Sequence, residues 1–269
     1  MEQCASTSKI RRKENATMET KGSSIILAGD SIAKGIVFDA PRKRYVRANK
    51  EGFAGFIKNT MNATLEQVSR LGWLVTDVKA AIETRIFRKE PKQKLDKSET
   101  EEKSILVLEV GGNDSDFNWD EIAKDPYAEH LPKTTLPVYT DTLKQIVSEA
   151  RENDIEPVLV NLPPVDADRY FAFFTAGDEE KAKNVLKWLG QVGRIYWWHE
   201  RYNAALEYVA EITSTAMINV RHAFLNTPDY RKYICEDGIH PNEEGQKLIF
   251  DAAMDFAKRR APGLLLGNA

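Results

Sequence analysis

Short apolar runs alternate along the chain with segments of helical periodicity. Buried strands are predicted at Ser24–Gly29, Ser104–Val110, Pro157–Leu162 and Ala216–Val220, with a less apolar fifth at Leu65–Ser69. Helices are predicted at Phe53–Met61, Leu74–Phe87, Leu136–Asn153, Glu179–Leu189, Ile195–Thr213 and Glu243–Arg260. Strands and helices in this order build right-handed βαβ units. We therefore expect an α/β fold whose parallel sheet is covered by helices on both faces.

Two segments lack this pattern. Residues 1–22 are polar and show no periodicity, which predicts a disordered tail. Ten of the fifteen residues in Lys89–Lys103 are charged, so we predict a solvated surface loop inserted into the domain. The rest of the chain contains no internal repeat and no break between two domains. The sequence thus predicts one domain over residues 23–263 and a short C-terminal tail at residues 264–269.

Composition narrows the class of protein. The 269 residues are 42% hydrophobic and 29% charged, enough to bury a core. Lys and Arg number 38 against 41 Asp and Glu, a net charge of −3, so no basic excess favours nucleic-acid binding. There is no apolar run long enough for a membrane span. Cys4 and Cys235 are too few for a disulfide framework, and residues 1–22 lack the apolar stretch of a secretory signal. We therefore predict a cytoplasmic protein.

Polar side chains follow three of the predicted strands. The first strand ends in Gly-Asp-Ser with Ser31, the third in Gly-Gly-Asn-Asp with Asn113, and Asp237 and His240 follow the last. The carboxyl ends of parallel strands share one edge of a sheet, where active sites lie. The catalytic site of a nucleophilic hydrolase needs a hydroxyl nucleophile, an imidazole base, a carboxylate that orients the base, and a donor such as an amide for the oxyanion. Each motif alone also fits a structural role, as a helix cap at Ser31 or Asn242 or as a turn, but their joint occurrence favours catalysis.

Together these motifs resemble those of the SGNH hydrolase superfamily, the GDSL-type esterases and lipases, over nearly the whole chain apart from the tail. The resemblance implies that Ser31 is the nucleophile, His240 the general base and Asp237 the carboxylate that orients the base. It also implies an oxyanion hole made by the backbone N–H groups of Ser31 and Gly72 and by the side chain of Asn113.

The same resemblance implies a fold and a reaction. The expected fold is a three-layer α/β/α sandwich around a flavodoxin-like five-stranded parallel sheet, the SGNH hydrolase fold. The expected reaction is hydrolysis of carboxylic esters of short acyl or acetyl groups, in two steps through an acyl-enzyme. It requires no metal and no organic cofactor. Carbohydrate O-deacetylation and lysophospholipid cleavage are alternatives that would use the same triad.

Two non-hydrolytic alternatives would suit the same topology, a flavin-binding flavodoxin-like module and a non-catalytic module. The first strand is followed by Asp-Ser-Ile-Ala, which makes a poor phosphate-binding loop for a flavin. The sequence carries no Gly-x-Ser-x-Gly elbow, dinucleotide fingerprint or Walker motif. Its four histidines lack metal-ligand spacing, and His199, within a helical aromatic patch, is interpreted as structural.

Residues 170–208 hold ten of the 25 aromatic residues of the chain. A helix pair that packs its aromatic face on the core explains most of this enrichment. The sharper hypothesis places Pro164, Tyr170 and Phe171 in the wall of a substrate pocket. The same region is a candidate homodimer interface. Apart from a second copy of the chain, the expected partner is a small-molecule ester. Neither a nucleic-acid partner nor a membrane span is expected.

Overall fold

A parallel sheet of five strands forms the centre of the protein. The computed structural model describes residues 23–48, 57, 60–88, 104–262 and 265. Its strands are β1 Ser24–Gly29, β2 Ile36–Asp39, β3 Arg44–Arg47, β4 Thr64–Ser69, β5 Ser104–Glu109, β6 Ile155–Val160 and β7 Ala216–Ile218. The central sheet has the order β4-β1-β5-β6-β7, with every neighbouring pair parallel. Strands β2 and β3 form a separate antiparallel hairpin.

Helices cover both faces of this sheet. They are α1 Val75–Ile82, α2 Trp119–Lys124, α3 Leu136–Glu152, α4 Ala167–Thr175, α5 Glu179–Leu189, α6 Arg194–Ile212, α7 Val220–Leu225 and α8 Glu243–Arg260. A π-helical turn at Glu83–Phe87 continues α1, and a 3₁₀ helix spans Tyr230–Tyr233. Among the described residues, none of these helices is long and apolar enough to cross a membrane.

Alternating side chains of β1 show why the sheet is buried on both sides. Ile26 and Ala28 pack with α1, α3 and α6, whereas Ile25 and Leu27 pack with α7 and α8. Successive side chains of a strand point to opposite faces, so a strand that is apolar at every position fits between two helical layers. The three-layer α/β/α architecture predicted from the sequence is confirmed.

The ends of four central strands differ from the prediction. Strand β4 begins one residue earlier and β5 ends one residue earlier than expected. Strand β6 begins and ends two residues earlier than expected. Strand β7 stops at Ile218 because the Asn219 side chain accepts a hydrogen bond from the backbone N–H of His222 (2.9 Å). Such a cap satisfies an N–H group that a helix leaves free at its first turn. Val220 therefore begins α7 and does not extend the strand.

Several predicted segments lie outside the described residues. They include residues 1–22, the charged loop Lys89–Lys103 and most of the helix predicted at Phe53–Met61. Within residues 264–269 the structure describes Leu265, which forms an antiparallel bridge with Met61. The proposed domain boundaries and the insertion therefore stay predictions.

Half of the ten aromatic residues in 170–208 lie in a second, smaller core between α2, α4, α5 and α6. The Trp119 and Phe174 rings stack at 4.5 Å between centroids, and Phe117 packs edge-on against Trp188 at 5.0 Å. Trp197 and Tyr208, both on α6, are half-exposed. The homodimer predicted through this region stays a prediction.

Candidate active site

Ser31 lies in a turn directly after β1. A Cβ at Gly29 would come 1.9 Å from the carbonyl oxygen of Glu109, so only glycine permits the close approach of β1 and β5 here. The Ile36 N–H donates to the Ser31 carbonyl (2.9 Å), and the chain then enters the β2–β3 hairpin. The turn does not lead directly into a helix. Ser31 is therefore not a helix cap, and its hydroxyl is available for other contacts.

The Ser31 hydroxyl is hydrogen-bonded to His240. Ser31 Oγ lies 2.9 Å from His240 Nε2, and His240 Nδ1 lies 2.6 Å from Asp237 Oδ2. All three side chains are buried, and Asp237 is fully so. A proton on Nδ1 that is donated to Asp237 leaves Nε2 as an acceptor for the serine hydroxyl. The structure therefore brings together the three residues that the sequence predicts as a catalytic triad.

One tight turn between β7 and α8 holds both Asp237 and His240. The second carboxylate oxygen, Oδ1, accepts from the backbone N–H groups of Ile239 and His240, each at 3.1 Å. Asn242 caps α8 by accepting from the Gly245 N–H at 3.0 Å. The capping role expected as an alternative for this segment thus coexists with the contact between His240 and Ser31.

Gly238 sits within this turn at φ +81°, with no room for a side chain. An added Cβ would lie 2.3 Å from the Tyr170 nitrogen and 2.6 Å from the Asp166 carbonyl oxygen. We expect Gly238→Ala to lower the free energy of unfolding by about 2–4 kcal/mol, because it combines left-handed strain with a backbone clash. Chemical denaturation measures this change.

Gly177 provides the matched control, since its φ is +80° and an added Cβ would meet nothing within 4 Å. Gly177→Ala keeps the strain without the clash and should cost about 1–2 kcal/mol. Equal losses in the two variants would show that the approach of α4 to the Gly238 turn is unimportant.

Tyr45 of the hairpin covers the histidine. Its ring centroid lies 5.0 Å from that of His240, and the residue is 38% exposed. Burial, followed by the charge of Asp237, raises the pKa of the Tyr45 hydroxyl to about 12. Tyr45 therefore stays neutral near neutral pH, and it shields one face of the imidazole from solvent. Sequence reasoning missed this residue because it missed the hairpin.

Asn113 and Gly72 approach each other at the same edge of the sheet. Asn113 Nδ2 donates to Asp30 Oδ2 and to the Trp73 carbonyl oxygen, each at 3.2 Å. Gly72 lies in the turn closed by the Trp73 N–H and the Arg70 carbonyl, and its φ of +81° is one that glycine adopts readily. The structure thus brings the predicted oxyanion residues into one neighbourhood.

The three residues predicted to line a pocket have different surroundings. The Tyr170 hydroxyl donates to Asp116 Oδ1 (2.9 Å), while its backbone lies against Gly238 beside the catalytic turn. Pro164 is buried, and Phe171 packs edge-on against Phe174 at 5.5 Å in the second core. A pocket role for these residues stays a prediction.

The remaining described histidines lie elsewhere. His199 is buried on α6, and burial together with the nearby Arg221 lowers its pKa to about 3, so it is neutral. This agrees with its interpretation as a structural residue. Within the described ranges, no group of three or more His, Cys, Asp and Glu side chains is arranged to hold a metal ion.

The GDSL-like lipase/acylhydrolase family matches the chain over residues 27–248, a span that includes Ser31, Asn113, Asp237 and His240. The chain belongs to this family. It is accordingly a hydrolase that acts on ester bonds. None of the curated proteins matches the sequence of this GDSL-like hydrolase.

Solved structures share the fold of this GDSL-like hydrolase at low sequence identity. A lipase/acylhydrolase from Enterococcus faecalis is 15% identical, with a TM-score of 0.58 over 92% of this chain and 99% of that one. A G-D-S-L family protein from Veillonella parvula is also 15% identical, with a TM-score of 0.57 over 88% and 100%. An acetylxylan esterase from Geobacillus stearothermophilus is 18% identical, with a TM-score of 0.52 over 88% and 95%.

Proposed function

We propose that this protein is a serine esterase that cleaves short-chain acyl or acetyl esters with Ser31, His240 and Asp237. The observation that carries the proposal is the continuous hydrogen-bonded chain from Ser31 Oγ through both imidazole nitrogens to Asp237. A serine hydroxyl becomes nucleophilic when an oriented base accepts its proton, and this chain supplies both the base and its orientation.

The reaction proceeds in two steps. Ser31 Oγ attacks the ester carbonyl while His240 Nε2 accepts its proton, and His240 then gives that proton to the departing alcohol. Water attacks the resulting acyl-enzyme with His240 again as base, which releases the acid and restores the serine. Asp237 accepts a hydrogen bond from the Nδ1–H group throughout, which holds that proton on His240, and it stabilises the imidazolium that forms in each step.

The developing oxyanion is held by the backbone N–H groups of Ser31 and Gly72 and by Asn113 Nδ2. In the structure the two Nδ2 hydrogens are directed at Asp30 and at the Trp73 carbonyl. When the substrate is bound, its oxyanion would replace the Trp73 carbonyl oxygen as the acceptor of one Nδ2 hydrogen. A full negative charge accepts a stronger hydrogen bond than a neutral carbonyl does. The contact with Asp30 would persist and keep the amide oriented.

Replacing Asn113 with alanine should lower kcat about 10²–10³-fold, equivalent to about 2.7–4 kcal/mol, and leave KM nearly unchanged. The reason is that this donor acts on a charge that exists only in the transition state. Steady-state kinetics on a chromogenic ester measures both constants. The exposed Asn153→Ala serves as the control. If KM carried the main effect, Asn113 would instead bind the ground state.

The substrate class can be tested with a panel of esters. Nitrophenyl acetate, butyrate and octanoate report the preferred acyl length, while acetylated xylo-oligosaccharides and a lysophospholipid test the two alternatives. The likeness to an acetylxylan esterase favours deacetylation of a saccharide as the second candidate. We expect the wild type to hydrolyse the short esters. Failure on every ester would overturn it, and a yellow purified protein would favour the flavin-binding alternative.

The cytoplasmic location stays a prediction from sequence, and it rests in part on the low number of cysteines. Of these, Cys235 lies in the part of the chain that the structure describes. It is free and buried under the hairpin, where its Sγ accepts a hydrogen bond from the Phe38 N–H at 3.4 Å.

A further inference from the structure

A second pair of acidic side chains lies buried behind the Ser31 turn. Asp30 precedes Ser31, and Glu109 ends β5 at the position paired with Gly29. Their side chains are nearly inaccessible to solvent, at 1% and 3% exposure. The Asp30 N–H donates to the Glu109 carbonyl at 3.3 Å, which holds the two residues side by side. Neither takes part in the proton transfers described above.

The two carboxyl groups have unequal partners. Asp30 accepts from the Ile32 N–H through Oδ1 (2.9 Å) and from Asn113 Nδ2 through Oδ2. Glu109 Oε2 accepts from the Ala33 N–H at 3.0 Å, whereas Oε1 is buried with no partner among the described residues. Hydrogen bonds from N–H groups stabilise a carboxylate, so Asp30 is the better site for a negative charge.

Apolar residues surround the remaining side of Glu109. Its side chain borders a cavity of about 10 Å³, close to the volume that one water needs. Glu109 is the one titratable residue of that lining, whose other members come from β1 and its turn, β6, β7, α7 and α8. In the part of the chain that the structure describes, no Lys or Arg forms an ion pair with Glu109 or Asp30. An ionised Glu109 would therefore be a buried charge that is stabilised by the Ala33 N–H and by no positively charged partner.

We propose that Glu109 is a positioning residue that keeps its proton in the working enzyme, and so lets Asp30 carry the single negative charge that orients Asn113. The inference rests on the proposed esterase function. A proton on Glu109 makes one of its oxygens a hydrogen-bond donor, with Asp30 beside it as acceptor. Asp30 then holds both the Asn113 amide and the backbone of the Ser31 turn.

The electrostatics of the site agree with this arrangement. Burial, reinforced by the charge of Asp30, raises the pKa of Glu109 well above its usual range. Burial also raises the pKa of Asp30, but hydrogen bonds from Ile32 and Asn113 and the nearby His240 oppose that shift. The other titratable groups around the pair are Asp114 and the Tyr139 hydroxyl, and neither brings a positive charge.

Loss of the Glu109 proton would disturb catalysis in two ways. A second negative charge beside Asn113 would oppose the oxyanion that forms there. The two carboxylates, Asp30 and Glu109, would also repel each other, which would move Asp30 away from the Asn113 amide that it orients. We therefore expect kcat to fall at alkaline pH as Glu109 ionises, with little change in KM.

Three variants test the assignment by kinetics. Glu109→Ala should lower kcat about 10²-fold by freeing the Ser31 turn and Asn113, and Asp30→Asn should do similar damage. Glu109→Gln keeps a neutral side chain of the same shape, so it should recover most of the loss and lack the alkaline fall in kcat. Glu156→Gln, on an exposed position of β6, is the control. A Glu109→Gln variant as slow as Glu109→Ala would overturn the proposal.

Infrared spectroscopy tests the protonation state without using activity. Wild-type protein at neutral pH should show the C=O band of a protonated carboxylic acid, and ¹³C-labelled glutamate should shift that band. Glu109 is the one buried glutamate among the described residues, so the shifted band identifies it. Absence of the band would overturn the proposal even if Glu109→Gln failed to fold. If the wild type hydrolysed no ester, the proposed function would fail, while the band would still decide the state of Glu109.

Discussion

Ser31→Ala should lower kcat by about 10⁴–10⁶-fold while the protein stays folded. In the proposed mechanism alanine removes the atom that forms the acyl-enzyme, and it leaves the backbone of the turn after β1 unchanged. Ser31 Oγ lies 2.9 Å from His240 Nε2, so the proposed nucleophile and its proposed base are already aligned without substrate. Steady-state kinetics on the preferred chromogenic ester gives the loss, and far-UV circular dichroism confirms the fold.

A serine-directed phosphonate provides a second measurement of the same residue. It should label the wild type and spare Ser31→Ala. Ser148→Ala is the matched control, because its hydroxyl lies on the exposed face of α3 and donates to Glu152. Labelling that persisted in Ser31→Ala would assign the nucleophile to another residue.

His240→Ala should abolish activity about as completely as Ser31→Ala, by about 10⁴–10⁶-fold, and the double variant should be little worse than either. Losses that do not add are expected because a serine without its base and a base without its serine are equally inactive. Asp237→Asn should cost less, since the imidazole remains but loses the carboxylate 2.6 Å from Nδ1.

His222→Ala is the control for the base, since His222 is exposed on α7 and contributes its backbone to a helix cap. It should keep wild-type kinetics. If His240→Ala retained more than about a tenth of the wild-type rate, the assignment of His240 as base would be wrong.

The strongly patterned elements could be predicted closely from the sequence. Ser24–Gly29, Glu179–Leu189 and Glu243–Arg260 have the same bounds in the structure as in the prediction. The first is apolar from Ile25 onward, and the two helices begin at a capping side chain, Asp178 and Asn242. Local chemistry decides such boundaries, so a single sequence is enough to locate them.

The hairpin was missed because its strands have four residues each and because β3 is mostly exposed. Its inner positions Val37 and Val46 face Cys235, while Arg44 is solvent-exposed. The alternation in Ile-Val-Phe-Asp and Arg-Tyr-Val-Arg, separated by Ala-Pro-Arg-Lys, was the available signal. Recognising it would have predicted the hairpin, but the contact of Tyr45 with His240 depends on how the hairpin docks.

In the site, the residue types could be predicted from the sequence, whereas some of their contacts could not. Ser31, Asn113, Asp237 and His240 stand in recognisable motifs, so their proximity could be predicted from the sheet topology. Glu109 carried a signal too, as one acid in the apolar run Ser-Ile-Leu-Val-Leu-Glu-Val. Its partners depend on the register between β1 and β5, which pairs Gly29 with Glu109 and which sequence patterns leave undetermined.

The proposed nucleophile Ser31 and its proposed base His240 are 209 residues apart in the chain. Ser31 follows the first strand of the sheet, whereas His240 lies beyond the last, so their hydrogen bond can form only after β1, β5, β6 and β7 have all assembled. During synthesis the N-terminal part of the domain emerges first, and it carries a serine without a base. We therefore expect a nascent or partly folded chain to be inert toward esters. Ester hydrolysis can serve as a direct readout of complete folding in refolding or cell-free translation experiments.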